Sequence, residues 1–115
     1  MAFSQDAPPR GIVWHHRQKA WRVVVKKMDR SVNPPKQRKF YREFKDFDAA
    51  IRVRDYVSRM LHGSNAKLHT DGRLPSTVSR LDVIRWLVAQ SAIESSEVAK
   101  FTARVNSLDT PPTTS

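Results

Sequence analysis

The sequence predicts an α+β fold in which a three-stranded antiparallel sheet packs on one α-helix and a C-terminal pair of short helices follows. Two observations carry this prediction. Up to Phe44, charged and apolar residues alternate with a period of two, which is typical of strands. From Asp46 the apolar period changes to 3.6, which indicates a helix. A chain of 115 residues with 39% hydrophobic content is long enough for one modest core.

The three strands are expected at residues 11–17, 20–27 and 38–44. The second, "AWRVVVKK", is the clearest because β-branched and aromatic residues dominate it. A loop with Asn33-Pro34-Pro35 separates it from the third, since proline cannot donate to a ladder. Alternation in the third strand, "RKFYREF", places Arg38, Phe40 and Arg42 on one face and Lys39, Tyr41 and Glu43 on the other.

The helix is expected to begin after Asp46, a good N-cap residue, and to end at Gly63, which suits the left-handed turn that follows a helix. The next residues, "SNAKL", return to apolar character at Ala66 and Leu68. This pattern predicts that the chain turns back beneath the helix. We therefore expect a domain over residues 10–73 with a flexible tail at 1–9 before it.

Residues 74–107 are expected to form a helical extension, followed by a flexible tail at 108–115. A helix start at residues 75–77 precedes "VSRLDVIRWLVAQ", and a shorter helix is expected within "SSEVAKFTARV". Trp86 lies beside the main apolar stripe of the first of these helices. It can pack against the sheet domain, which we favour, or anchor a protein partner or a homodimer.

The charge distribution points to a polyanionic partner. The chain holds 21 Lys and Arg against 11 Asp and Glu, a net charge of +10. Residues 1–73 hold 17 basic and 7 acidic residues, whereas residues 74–115 hold 4 of each. The whole excess therefore lies in the first two-thirds, where a nucleic-acid-binding surface is expected.

Several other functional classes are disfavoured by the residues present. The absence of cysteine excludes disulfides and thiolate zinc sites. His15 and His16 are neighbours on a strand and face opposite sides, so they cannot chelate one ion together. No nucleophile elbow, phosphate loop or paired-carboxylate pattern is present. We therefore expect no enzyme activity, no cofactor and no metal, and no apolar run long enough for a membrane span.

Five stretches in this order, "RGIVWHHR", "KAWRVVV", "RKFYREF", "AAIRVRD" and "HGSNAKLH", resemble a known DNA-binding domain. The family is the Apetala / ethylene-response-factor domain of plants, with relatives in apicomplexan parasites, and the resemblance covers roughly residues 10–70. It implies that the sheet, not the helix, lies in the major groove. It also implies that "NAKL" is a structural clasp which pins the helix to the sheet.

Carried over by position, the resemblance implies a set of nucleic-acid-binding residues and a set of core residues. The binding set is Arg10, His15, Arg17, Arg22, Lys26, Arg38, Phe40 and Arg42. The core set is Trp14, Trp21, Val23, Val25, Tyr41 and Phe44. Val13 and Val24 stand where plant members often carry charged base-reading side chains, so the target sequence is not carried over.

Two functions from different classes follow. The first is sequence-specific binding of double-stranded DNA, of transcription-factor type and therefore nuclear. The second is a structural RNA-binding role in a ribonucleoprotein such as an organellar ribosome, in the mitochondrion or another organelle. The second is favoured by the depleted base-reading positions and by the lack of an acidic or glutamine-rich activation segment.

Overall fold

The computed structural model describes residues 10–109, so the expected tail at 1–9 and most of the tail at 108–115 lie outside the described residues. The α+β prediction is confirmed. The elements are β1 (Ile12–His15), β2 (Ala20–Asp29), β3 (Lys36–Phe44), α1 (Phe47–His62), α2 (Arg80–Ala89), α3 (Val98–Ala103) and α4 (Asn106–Asp109).

The sheet is an antiparallel meander in the order β1-β2-β3. β1 is short and pairs only with residues 20–23 of β2, whereas β3 pairs with residues 21–29. The register places Val25 opposite Phe40 and Lys26 opposite Lys39. Because side chains alternate along each strand, this register decides which residues of β3 face the helix and which face away.

Both predicted ends of α1 are confirmed. The side chain of Asp46 accepts a hydrogen bond from the Ala49 N–H at 2.9 Å, which satisfies one of the free donors in the first turn. At the other end, Gly63 has a φ of 67° and its N–H donates to the Arg59 carbonyl. The apolar face of α1 buries Val53 and Val57 completely against the sheet.

The chain after α1 turns back along the helix, as predicted, and a buried carboxylate holds it there. Asp55 Oδ2 accepts hydrogen bonds from the N–H of His69 at 2.9 Å and from the N–H and hydroxyl of Thr70, both at 2.6 Å. Arg54 Nη1 adds a bond to the Lys67 carbonyl at 2.7 Å. The clasp therefore reaches beyond "NAKL", and its anchor is a residue that was not predicted.

The C-terminal helices complete the same hydrophobic core. Val83 and Leu87 of α2 and Phe101 of α3 are buried in one cluster with the sheet and α1. α2 begins later than predicted, because Ser79 is the N-cap and forms a capping box with Asp82. None of the helices within residues 10–109 has the length and apolar character that crossing a membrane requires.

Candidate nucleic-acid interface

One face of the sheet is packed on α1, and the opposite face is left uncovered by the helices of residues 10–109. Apart from Ala20 at the start of β2, none of the side chains on this second face is buried. We call it the open face and define it by strand register as Val13, His15, Arg22, Val24, Lys26, Met28, Gln37, Lys39, Tyr41 and Glu43. It combines cationic groups with large exposed apolar ones: Val13 is 56% exposed, Tyr41 52% and Met28 45%.

Two lysines lie directly opposite each other near the middle of the open face. Lys26 on β2 pairs with Lys39 on β3, and both are exposed. No acidic side chain within residues 10–109 forms an ion pair with either of them. Like charges at directly opposite positions destabilise a sheet. A bound anion would offset this repulsion.

An aromatic ring lies next to this lysine pair. Tyr41 follows the pair along β3 and lies opposite Val24. The Lys39 ammonium lies 5.5 Å from the centre of the Tyr41 ring. Gln90, the residue that follows α2, accepts from the Tyr41 N–H at 2.9 Å and donates to its carbonyl at 2.8 Å. The backbone under the ring is thus fixed while the ring itself remains exposed.

The other end of the open face is balanced in charge. Glu43 Oε2 lies 3.4 Å from His15 Nδ1 and 3.7 Å from Arg22 Nη2. The excess positive charge of the open face is therefore concentrated at Lys26 and Lys39. The described residues contain no group of three or more His, Asp or Glu that could hold a metal ion.

Five of the expected binding residues lie on or beside the open face. His15, Arg22 and Lys26 point from it, while Arg10 precedes β1 and Arg17 lies in the turn after β1. Arg10 and Arg17 are both exposed. Lys39 and Gln37 belong to the same surface and were not predicted, because β3 was assigned the opposite orientation.

The prediction that Arg38 and Phe40 face outward was wrong, since both lie on the helix-covered face. Phe40 is fully buried opposite Val25, and Arg38 is only 1% exposed. The same reversal explains why Tyr41, expected in the core, is exposed. Trp14 was also expected in the core and is 37% exposed, although its ring packs on Trp21 at 4.9 Å.

Arg38 is a structural centre in which every guanidinium donor is used. Its Nε and Nη2 donate to Asp29 Oδ2 at 2.9 and 2.7 Å. Nη1 and Nη2 donate to the two carboxylate oxygens of Glu97 at 3.0 and 2.7 Å, and Nη1 also donates to the Ala92 carbonyl at 2.8 Å. These bonds use all five N–H groups that arginine offers. They join the sheet to the turn before α3.

The two carboxylates in this cluster are held in the ionised form. Hydrogen bonds from Ser31 and then from Arg38 lower the pKa of Asp29. The hydrogen bonds from Arg38 are the main cause that lowers the pKa of Glu97. Since Arg38 is engaged by both carboxylates, it is not available to a nucleic acid.

Arg42 is also on the helix side, contrary to the prediction. Its guanidinium lies 3.9 Å from the centre of the Trp86 ring, and Trp86 packs edge-on against Phe44 with ring centres 6.0 Å apart. The stack attaches α2 to β3. It also confirms the expectation that Trp86 packs within the chain.

A scan against protein-family models finds no match for this chain, and neither the curated proteins nor the solved structures yield one. The resemblance to the Apetala / ethylene-response-factor domain therefore stays a prediction.

Proposed function

We propose that this chain binds nucleic acid through the open face, with double-stranded DNA as the first candidate and sequence-specific recognition of transcription-factor type. The observation that carries the proposal is the Lys26–Lys39 pair, two opposed and exposed ammonium groups with no acidic partner among the described residues. Phosphates are the anions that such a pair suits, because each lysine can contact a phosphate as a point charge.

Other side chains of the open face suit hydrogen bonding to base edges. Arg22 has the geometry to bond guanine in the major groove, Gln37 suits adenine, and Glu43 can accept from the cytosine amine. Val13 offers an exposed apolar contact for a thymine methyl group. Because β3 has the opposite orientation to the one predicted, Gln37 lies on the open face and can contact a base, whereas Phe40 is buried and cannot.

A structural RNA-binding role is the second candidate, and the exposed Tyr41 ring favours it. A ring that is 52% exposed on a sheet face, beside Lys39, can stack on an unpaired base. A duplex offers no free base face for such stacking, whereas single-stranded segments of structured RNA do. The same lysines would contact phosphates in either case.

A binding selection separates these two candidates. Randomised duplexes of about 12 base pairs are presented to the protein at about 150 mM salt, with structured RNA as a titrated competitor. We expect one enriched DNA motif whose binding resists the RNA. A further selection with Gln37→Ala is expected to change the preferred base at one position of that motif. Failure to enrich any motif, with RNA competing at least as well as DNA, would contradict the DNA proposal in favour of the RNA one.

A further inference from the structure

The edge of β2 that faces β1 is open over its second half. The last backbone bond on this side within the described residues runs from the Val24 N–H to the Gly11 carbonyl, at 2.8 Å. Beyond it, His62 Nε2 lies 3.0 Å from the Lys26 carbonyl and donates to it. Two clefts, of about 560 and 610 Å³, lie along this edge between β2 and the end of α1.

The two clefts share Lys26 and His62, and we call them together the basic groove. The first cleft is lined by Arg10, Arg54 and Lys67, and the second by Lys27, Arg30 and Arg104. Asp29 is the one acidic residue among the described residues that line the groove, and its Oδ2 is bonded to Arg38. The groove is therefore strongly positive.

Two of the cations of the basic groove, Arg54 and Arg104, are held in place by hydrogen bonds within the protein. Arg54 Nη1 donates to the buried Asp55 Oδ1 and to the Lys67 carbonyl, and the buried Nε has no hydrogen-bond partner among the described residues. Gly11, with a φ of +92°, leaves room for it, because a Cβ at that position would come within 3.2 Å of the Arg54 Nε. Arg104 Nη1 is fixed by the carbonyls of Met60 and Leu61.

The remaining cations are free to contact a ligand. Lys26, Arg30 and Lys67 are exposed, and none of the three has an ion pair with a described acidic residue. The positive potential is also felt by His62, whose pKa is lowered by burial and further by the charges of Lys27 and Arg54. Exposed cations that no carboxylate neutralises, beside cations that the protein holds in place, are suited to binding a flexible polyanion.

We propose that the basic groove binds the phosphodiester backbone of a single strand that continues from the nucleic acid on the open face. This inference rests on the proposed function. Lys26 connects the two surfaces, because its side chain lies on the open face while the residue also lines both clefts at the adjoining edge of β2. A strand that leaves the open face at the Lys26–Lys39 pair therefore meets the groove at this edge. A volume of several hundred Å³ on each side of Lys26 has the size of a small-ligand site.

The test compares two ligands and two matched variants. One ligand is a blunt duplex of about 12 base pairs, and the other is the same duplex with a single-stranded overhang of about six nucleotides, placed in turn at each end. The groove variant is Arg30→Ala with Lys67→Ala, and its control is Arg85→Ala with Lys100→Ala, which removes the same charge from α2 and α3. All four residues are exposed.

We expect the unmodified protein to bind one overhang duplex about tenfold more tightly than the blunt duplex. The groove variant should lose this gain but keep its affinity for the blunt duplex. Its salt dependence on the overhang ligand should also fall by a log–log slope of about 1.4, the value for two phosphate contacts to a single strand. The control variant should behave as the unmodified protein. Replacing the same two groove residues by Arg30→Lys and Lys67→Arg should restore the gain, which separates charge from folding.

Each other outcome overturns a defined part of the proposal. If neither overhang adds affinity, or if the groove variant retains the gain, the groove inference fails and the proposed function stands. If the unmodified protein binds neither ligand, both fail. If a polyglutamate peptide displaces the overhang as efficiently as a free oligonucleotide does, the groove is a site for acidic peptides and not for a phosphodiester strand.

Discussion

Replacing Arg38 by methionine is expected to destabilise the fold by about 3–5 kcal/mol, as the loss of one partner from a buried ion pair does. Arg38 is 1% exposed, and it neutralises Asp29 and Glu97, whose side chains are 13% and 18% exposed. Methionine fills a similar volume without a charge, so both carboxylates lose their counter-ion. The measurement is the free energy of unfolding in urea.

Lys39→Ala is the control for this prediction because Lys39 is the next residue of the same strand but lies on the open face. Its substitution is expected to change the free energy of unfolding by no more than about 0.5 kcal/mol. Equal stability of the two variants would contradict the assignment of Arg38 to the core. It would return Arg38 to the set of candidate nucleic-acid contacts.

The Arg38→Met and Lys39→Ala variants should also differ in how the free energy of unfolding depends on pH. The folded state lowers the pKa of Asp29 and Glu97, so the unfolded chain binds more protons as the pH falls. Their contribution to stability is thus complete above the ordinary carboxyl pKa of about 4. It is lost as the pH falls through the lowered folded values. Without Arg38 the share of this loss that its hydrogen bonds cause disappears, chiefly at Glu97, whereas the Ser31 bonds to Asp29 remain. The urea midpoint should therefore fall less steeply below about pH 5.

Replacing Asp55 by alanine is expected to cost about 3 kcal/mol of stability or more. Asp55 is fully buried, and its Oδ2 accepts from the backbone N–H groups of His69 and Thr70 and from the Thr70 hydroxyl. Its Oδ1 lies 3.0 Å from Arg54 Nη1. Alanine removes four charge-assisted contacts at once. The backbone donors of the returning segment then lose their acceptor.

Asp48→Ala provides the matched control on the same helix. Asp48 is 67% exposed and pairs with Arg52 one turn later, an exposed helical pair of the kind that contributes at most a few tenths of a kcal/mol. We also expect amide hydrogen exchange at His69 and Thr70 to accelerate in Asp55→Ala and to remain unchanged in Asp48→Ala. Unaltered protection of these two amides in Asp55→Ala would show that the clasp is held by other contacts.

The parts of the fold that depend on local chemistry could be predicted from the sequence. The N-cap Asp46, the change of apolar period that begins there and the terminating Gly63 belong to one continuous segment, and α1 begins and ends where they predict. The orientation of β2 was also correct, because Trp21, Val23 and Val25 form a regular alternation that ends in lysines.

The orientation of β3 could not be obtained in this way. Phe40 and Tyr41 are adjacent, and basic residues occupy both alternating sets, so the pattern fits either face equally well. The choice is made by tertiary contacts, namely Val25 opposite Phe40 and Glu97 bonded to Arg38, which lies 59 residues away in the chain. One missed signal was local. Ser79 and Asp82 have the spacing of a capping box and mark the true start of α2.

Asp55 is a second residue whose role was readable in principle. An acidic residue beside the apolar positions Val53 and Val57 of an amphipathic helix must either face solvent or meet several donors. The donors come from residues 69–70, which become neighbours only when the chain turns back. The return itself was predicted from Ala66 and Leu68. That Asp55 anchors the returning segment could be seen only in the structure.

The most direct test of the open face as a nucleic-acid interface removes its lysine pair. Binding of a labelled duplex is measured over a range of salt concentrations for Lys26→Ala with Lys39→Ala and for the control Arg85→Ala with Lys100→Ala. We expect the lysine-pair variant to lose affinity at least tenfold and to lower the log–log salt slope by about 2, while the control changes neither. Equal effects of the two variants, or none from the lysine pair, would contradict binding through the open face.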